Sequence, residues 1–212
     1  MMKTPSFLIA CFLMVTVVMA ASREYVLKYP DGSLRIKGTM VNDKQEGPWT
    51  FYHPNRKKSS EGTYSQGKAT GQWTVWHTNG VKASFGTFIN GKEEGSWTTW
   101  HLNGVKASQG PFKKGFMEGP WSFWQTNGVK KSEGICRTGK KEGTWTEWFL
   151  NGMISQGTFR RGKEQGTWLL QKGNKTIREI TFNQGQIVTF TDFTTNITAL
   201  SDLPGQFQKT TQ

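Results

Sequence analysis

The sequence predicts an all-β fold, an elongated single sheet of antiparallel β-hairpins built by a repeat of about 24 residues. Three observations predict it. A Gly-x-Trp triplet recurs at a nearly constant step, an Asn-Gly dipeptide follows it at a fixed distance, and all 10 tryptophans occupy two positions of the unit. Hairpins of this kind, paired edge to edge with their neighbours, form a ribbon or solenoid without helices.

The Gly-x-Trp triplet sets the period. Its steps are 24, 24, 24, 24 and 23 residues, counting its glycine as position 1 of each unit. Tryptophan stands at position 3 in six units and at position 6 in four, a confinement that a random sequence would not show. The position-1 glycines are Gly47, Gly71, Gly95, Gly119, Gly143 and Gly166, and the position-6 tryptophans are Trp76, Trp100, Trp124 and Trp148.

Positions 9 and 10 predict the turn of each hairpin. Asn-Gly stands there in four units, as in Asn79-Gly80, and Asp31-Gly32 is the same device in a partial first unit. Both residues tolerate positive φ, so the dipeptide favours a two-residue type I′ turn. The first full unit has Arg56 in place of the glycine. A non-glycine residue costs about 1–2 kcal/mol in the left-handed region, so a different turn is expected there.

A two-residue loop fixes the cross-strand partners. Position 6 then faces position 13 and position 3 faces position 16, which places Trp76 opposite Ala83 and Trp73 opposite Gly86. A large ring would thus cover a residue with little or no side chain. Positions 3 and 6 have opposite parity on a strand, so aromatic residues are expected on both faces of the sheet.

The fifth unit is one residue short between Gly152 and Gly157. Two explanations are open. Either the standard units carry a bulge that this unit lacks, or its second strand is locally out of register.

The ends of the chain differ from the repeats. Residues 1–20 predict a signal peptide, because Lys3 precedes an uncharged and mostly apolar stretch and small residues precede a cleavage point after Ala20 or Ala21. An uncleaved membrane anchor is the alternative, although an apolar stretch of 14 residues is too short to span a bilayer unaided. The remaining divisions are an N-terminal partial repeat or cap (21–46), five tandem repeats (47–165), a degenerate C-terminal repeat or cap (166–190) and a flexible tail (191–212).

Charge and cysteine content limit the classes of partner and of stabilisation. Removal of residues 1–20 takes away Lys3 and no acidic residue, so the formal net charge falls from +12 to +11. A strongly basic chain suits anionic partners. Only Cys136 remains in the mature chain, and a single thiol cannot form an intramolecular disulfide. Contacts between hairpins must therefore supply the stability.

The frame G-x-W-x-x-W-x-x-N-G-x-x-x-x-x-G-x-F-x-x-G-K-x-x resembles the MORN repeat (membrane occupation and recognition nexus), and most closely its bacterial variant labelled YwqK-type antitoxin. The resemblance covers about residues 25–190. This chain departs from the frame at Arg56, at Cys136 in place of Phe, at Phe116 in place of Lys, and in the short fifth unit. The resemblance implies an elongated sheet with a role in binding, membrane association or scaffolding, and no catalytic residues.

Lysines and tryptophans supply the candidate partner-binding residues. Lysine recurs at position 12 and tryptophan at position 6, so a periodic basic and aromatic track is expected along the ribbon. Such a track suits acidic lipid headgroups, wall-polymer phosphates or an acidic protein face. The alternative is that the charges only keep the sheet soluble. The candidates are Lys58, Lys82, Lys106, Lys130, Trp76, Trp100 and Trp124, and a second lysine row at position 22 comprises Lys68, Lys92, Lys140 and Lys163.

No catalytic, cofactor or metal site is predicted. Histidines recur at position 7, but equivalent residues of adjacent hairpins lie roughly 9–10 Å apart and cannot share a zinc ion. His53, His77 and His101 are therefore expected to form a polar row on the sheet surface. Cys136 is expected to be a small buried hydrophobic residue without a histidine partner. A hydrolase acting on wall polymer would need an acid–base pair in a pocket.

The sequence thus predicts an exported, non-enzymatic binding or scaffold protein, periplasmic or secreted, that engages a protein or an anionic lipid or wall polymer. Predicted export disfavours nucleic acid as a partner, and no small-molecule substrate is expected. An antitoxin or immunity protein that neutralises a toxin enzyme is the alternative, and it follows from the resemblance alone.

Overall fold

The computed structural model describes residues 21–193, which form one open antiparallel sheet of 16 strands. The predicted signal peptide and residues 194–212 of the predicted tail lie outside the described residues. Each strand pairs with the next along the chain, except that the short ninth strand pairs only with the eighth. The predicted all-β, single-sheet hairpin repeat is confirmed. No helix within residues 21–193 has the length and apolarity needed to cross a membrane.

The strands are β1 (Ser22–Lys28), β2 (Leu34–Val41), β3 (Lys44–Tyr52), β4 (Lys58–Ser65), β5 (Lys68–Trp76), β6 (Lys82–Ile89), β7 (Lys92–Trp100), β8 (Lys106–Lys113), β9 (Phe116–Met117), β10 (Gly119–Trp124), β11 (Lys130–Arg137), β12 (Lys140–Trp148), β13 (Met153–Arg160), β14 (Lys163–Lys172), β15 (Lys175–Asn183) and β16 (Gln186–Asp192). The last strand runs two residues past position 190, into the predicted tail.

The hairpin turn differs from the predicted type I′ form. In the second unit the amide of His77 donates to the carbonyl of Val81, and the amide of Gly80 donates to that of His77, both at 2.8 Å. Gly80 has φ +89° whereas Asn79 is not among the residues with positive φ. The loop is therefore three residues long, a type I turn followed by a left-handed glycine. The side-chain carbonyl of Asn79 accepts a hydrogen bond from the amide of Val81 at 3.0 Å, which explains why asparagine occupies this turn position.

The longer loop changes the partner of position 6. Trp76 pairs with Lys82, so the predicted pairing with Ala83 is wrong. Ala83 is the extra residue of a β-bulge that restores the register beyond it, and Trp73 lies opposite Gly86 as predicted. The extra loop residue and the bulge residue cancel, which is why a two-residue loop predicted the correct partner for position 3 and the wrong one for position 6. The same corrections hold for Trp100, which pairs with Lys106, and for Trp124, which pairs with Lys130.

The fifth unit uses the same turn without the bulge. Its register is continuous from Trp148 opposite Ile154 to Trp145 opposite Gly157. The residue that this unit lacks is therefore the bulge residue. Of the two explanations offered by the sequence, the first is confirmed.

Arg56 adopts the conformation that the other units give to glycine. Its φ is +67°, and its amide donates to His53 O at 2.9 Å as in the other turns. The expectation of a different turn in this hairpin is wrong. The guanidinium lies 3.6 Å from the carboxylate of Asp31 in the neighbouring turn. Because both side chains are exposed, this ion pair offsets only a small part of the backbone cost.

The buried tryptophans join each hairpin to the one before it. Trp97 is 7% exposed, and its ring does not cover its register partner. It lies on Gly86 of the preceding hairpin, where an added Cβ would stand 2.1 Å from Cδ2 of the indole. The indole Nε1 of Trp97 donates to the carbonyl of Thr87 at 3.2 Å. The equivalent ring-on-glycine pairs are Trp49 on Gly38, Trp73 on Gly62, Trp121 on Gly110, Trp145 on Gly134 and Trp168 on Gly157.

The core is a single row of aromatic rings along one face. Phe88 stands between Trp73 and Trp97, edge-on to both, with centroid distances of 5.8 and 5.1 Å. Such geometry adds about 0.5–1.5 kcal/mol per pair to the burial of area. The C-terminal end differs, because the residue opposite Trp168 is Ile180 and not glycine. No described tryptophan follows to cover that position, and Ile180 fills it with its own side chain.

We predict that Gly86→Ala destabilises the protein by about 2–3 kcal/mol, because the new methyl group forces the buried indole of Trp97 to move. Gly71→Ala is the matched control. Gly71 has φ +67° with no atom within 4 Å of an added Cβ, so only backbone strain of about 1–2 kcal/mol is expected. Urea unfolding followed by circular dichroism measures both. In a Trp97→Ala background the effect of G86A should disappear while that of G71A persists. Additivity of G86A and W97A would contradict the ring-on-glycine contact.

Deletion of Ala83 should convert the second hairpin into the form of the fifth, with near-parental stability and secondary structure. Deletion of Thr87 is the control. It moves Phe88 by one position, which turns its ring to the other face of the sheet and opens the aromatic row. Thermal unfolding of the two single-residue deletions compares them. Equal losses of stability would show that the bulge residue is required.

Candidate binding face

The position-6 tryptophans lie on the face opposite the aromatic core. Trp73 and Trp76 are three residues apart on β5, so their rings point to opposite sides. Trp73 is buried and Trp76 is half-buried. We call this second surface the Lys–Trp face. It comprises Lys58, Lys82, Lys106, Lys130, Trp76, Trp100, Trp124 and Trp148.

On the Lys–Trp face each lysine lies over the tryptophan of the next hairpin. The Nζ of Lys82 is 5.5 Å from the ring centroid of Trp100, and that of Lys106 is 5.1 Å from Trp124. The outer contacts, Lys58 over Trp76 at 5.9 Å and Lys130 over Trp148 at 5.5 Å, continue the series. The structure thus brings all seven predicted residues together. Trp148 was missed as a candidate, although it holds the same repeat position.

The four lysines differ in their other partners. Lys58 pairs with Glu61 at 2.6 Å, and Lys130 pairs with Glu133 at 2.5 Å. Lys106 donates to the side-chain oxygen of Gln109 at 2.7 Å. Lys82 has Phe85 at that position, with the ring centroid 5.3 Å from its Nζ. The central part of the face therefore has the least carboxylate and the most uncompensated positive charge.

The histidines link hairpins at the turn edge of the sheet. Nε2 of His77 lies 2.8 Å from the carbonyl oxygen of Trp100, and His53 and His101 make the same contact with the next hairpin. A carbonyl only accepts, so each ring donates through Nε2. The predicted polar surface row is therefore a row of half-buried crosslinks. No group of three or more potential metal ligands occurs within residues 21–193.

Asparagine and glutamate side chains fix both rows of turns. At one edge the Nδ2 of Asn79 donates to Leu102 O of the next turn at 2.7 Å. At the other edge the carboxylate of Glu94 accepts the amide of Lys114 at 2.8 Å. Glu118 and Glu142 make the equivalent hydrogen bond one unit and two units further along the chain. These glutamates therefore stabilise the turns that join successive hairpins.

A groove opens beside Trp124 and Trp148 and contains an ion pair. Nζ of Lys141 lies 2.8 Å from the carboxylate of Glu147. The same Nζ lies over the ring of Trp145 at 4.4 Å. Lys141 is thus held by a carboxylate and an aromatic face. The sequence pattern gave no sign of this pair, because both residues depart from their repeat positions.

Cys136 interrupts the aromatic row at a position where the other full units have Phe or Tyr. It is 3% exposed, as predicted for a small buried hydrophobic residue, and pairs across the strands with Lys141. Phe123 bridges the gap, at 5.9 Å from Trp121 and 6.1 Å from Trp145. Burial raises the pKa of the Cys136 thiol, and the nearby Lys141 opposes this effect. A neutral buried thiol is a poor nucleophile.

These features define a tandem β-hairpin repeat protein with one aromatic face and one basic face. Residues 93–114, which cover most of the hairpin β7–β8, match a family model described as a MORN repeat variant. The match supports a MORN-repeat protein, in agreement with the frame read from the sequence. No curated protein matches the chain.

The raised pKa of Cys136 predicts a pH dependence of stability. The folded state holds the thiol proton more tightly than the unfolded state, so this contribution is complete below the ordinary thiol pKa and is lost as the pH rises through the folded-state pKa. The parent should therefore lose more stability than Cys136→Ala between neutral pH and about pH 10. Iodoacetamide should alkylate the native thiol at least about tenfold more slowly than the urea-unfolded thiol. Parallel stability curves, or rapid native alkylation, would contradict a buried neutral thiol.

Proposed function

We propose that this protein is a non-enzymatic binding or scaffold protein whose Lys–Trp face engages an anionic partner surface. The observation that carries the proposal is the alternation of lysine ammonium groups and indole rings, 5.1–5.9 Å apart, in four contacts that link five successive hairpins. Rings that are half-buried hold the lysines in place, so little side-chain freedom remains to be lost on binding.

An anionic lipid or wall-polymer surface fits the face best. Phosphates repeated along a surface would meet lysines repeated along the ribbon, and each lysine close to an anionic membrane contributes about 1 kcal/mol. The indole rings favour the polar–apolar boundary of a membrane. An acidic protein surface would use the same lysines. MORN repeats are associated in general with binding and scaffolding, which agrees with this use of the face.

The proposal places the protein outside the cytoplasm, in the periplasm or secreted, after removal of residues 1–20. This part rests on the sequence of the leader alone. The resemblance to the YwqK-type antitoxin supports an immunity role only by analogy. A toxin gene adjacent to the gene for this protein would favour that alternative. We assign Lys141 and Glu147 a structural role, because the ring of Trp145 and the ion pair already engage the ammonium group.

Replacement of the two central lysines should weaken binding to anionic vesicles. Each removed charge costs about 1 kcal/mol near the surface, so Lys82→Gln/Lys106→Gln should lose about 30-fold in affinity for phosphatidylglycerol-containing vesicles, and binding should fall with added salt. Glu61→Gln/Glu133→Gln should change affinity in the opposite direction, because it removes two negative charges from the same face. Vesicle co-sedimentation measures both.

Lys172→Gln/Lys175→Gln is the matched control, since it removes two positive charges from another hairpin. An equal loss of affinity in this control would show that net charge, and not the Lys–Trp face, drives binding. Parental binding by K82Q/K106Q would overturn the proposal.

A further inference from the structure

A basic cleft lies at the sheet edge opposite the hairpin turns, where β13 turns into β14. It encloses about 530 Å³ and is lined by Lys140, Arg160, Arg161 and Lys163, together with the neutral side chains of Gln165 and Gln184 among others. The cleft is separate from the Lys–Trp face, because the lysines of that face lie beside the hairpin turns at the other ends of the strands.

Two of the cleft cations are direct cross-strand partners. Arg160 and Lys163 face each other across the turn Arg161-Gly162. Like charges in this arrangement repel and destabilise a hairpin. The third cation, Lys140, packs against this turn. Its Cβ is 3.6 Å from the position that a Cβ added to Gly162 would occupy. The fold therefore concentrates positive charge at a single turn.

Within residues 21–193 none of the four cleft cations lies within ion-pair distance of a carboxylate. Two carboxylates are close to the turn. Glu142 accepts the main-chain amide of Arg161 at 2.8 Å, and an oxygen of Glu164 lies 3.5 Å from the position of an added Cβ on Gly185. Four cations against these two anions leave an excess of about two positive charges.

The equivalent turns of the earlier units are not built this way. The residues that flank them are Ser65 and Lys68, then Ile89 and Lys92, then Lys113 and Phe116. The fourth unit does pair Arg137 with Lys140, but the side chain below that turn is Phe116, 3.7 Å from the position of an added Cβ on Gly139. Among the turns that join successive hairpins within the described part of the chain, only the one at Gly162 has a cross-strand pair of basic residues next to a further lysine.

We infer that this cleft binds a phosphate dianion, either free or as a terminal phosphate monoester. Arginine forks bind tetrahedral oxyanions through paired hydrogen bonds, and two arginines are adjacent here. A dianion matches the excess charge and would remove the repulsion between Arg160 and Lys163. The inference does not depend on the proposed role of the Lys–Trp face.

Thermal unfolding in inorganic phosphate at pH 8 tests the inference, with sodium chloride of the same ionic strength as reference. Phosphate should raise the unfolding midpoint of the parent above that in chloride, since a ligand of the folded state stabilises it. Arg160→Gln/Arg161→Gln should bind phosphate at least about tenfold more weakly. Glutamine suits position 161, because Gln66 and Gln184 hold the same left-handed conformation in equivalent turns.

Lys172→Gln/Lys175→Gln is the control, because it removes another cross-strand pair of like charges outside the cleft. It should keep the parental phosphate response, and so should K82Q/K106Q, which separates this inference from the proposed function. Vesicles with phosphatidic acid, compared with phosphatidylcholine alone, identify a lipid-borne monoester as the source if their binding requires Arg160 and Arg161. The inference is overturned if R160Q/R161Q behaves like the parent in both the phosphate and the vesicle experiments.

Discussion

The contact between an indole ring and the backbone of a glycine in the preceding hairpin holds this protein together. A two-stranded hairpin has no interior, and the described chain has no disulfide or metal cluster to replace one. The ring of Trp97 lies where a side chain on Gly86 would stand, so burial of the ring depends on the absence of a Cβ. Six such contacts in series turn marginal hairpins into one sheet. The phenylalanine between successive tryptophans then closes the row.

The same construction places the core residues and the proposed binding residues on opposite faces of the sheet, because positions 3 and 6 have opposite parity on a strand. Position 3 is committed to the core, whereas position 6 lies on the other face and supports a lysine from the previous hairpin. One sequence period therefore builds a core and a periodic basic surface together. The interruptions are local and compensated. Where Cys136 breaks the aromatic row, Phe123 spans the gap and Lys141 covers the neighbouring ring.

The repeat frame was sufficient to predict the fold class, the pairing of Trp73 with Gly86 and the grouping of the lysines with the position-6 tryptophans. The two-residue type I′ turn that the frame predicted was wrong. Asn-Gly is compatible with two loop lengths, and composition does not reveal which one forms. In the three-residue loop that is observed, the asparagine side chain accepts the amide two residues on. The error was hidden at position 3 because Ala83 forms a compensating bulge. Glu61, Glu133 and the Lys141–Glu147 pair were not predicted, since they vary between units and periodicity reports only what recurs. The cleft at Arg161 escaped for the same reason.

The substitution of Ile180 for glycine at the end of the series gives the molecule a direction. In every hairpin before it, the glycine backbone is covered only by the tryptophan ring of the next hairpin. In the last hairpin, Ile180 fills the equivalent position with its own side chain. A chain that emerges N-terminus first would therefore hold each new hairpin unfinished until the next has appeared. Truncation at the two ends should be unequal in kind: loss of the final hairpin uncovers Gly157, whereas loss of the first leaves an indole without the backbone on which it rests.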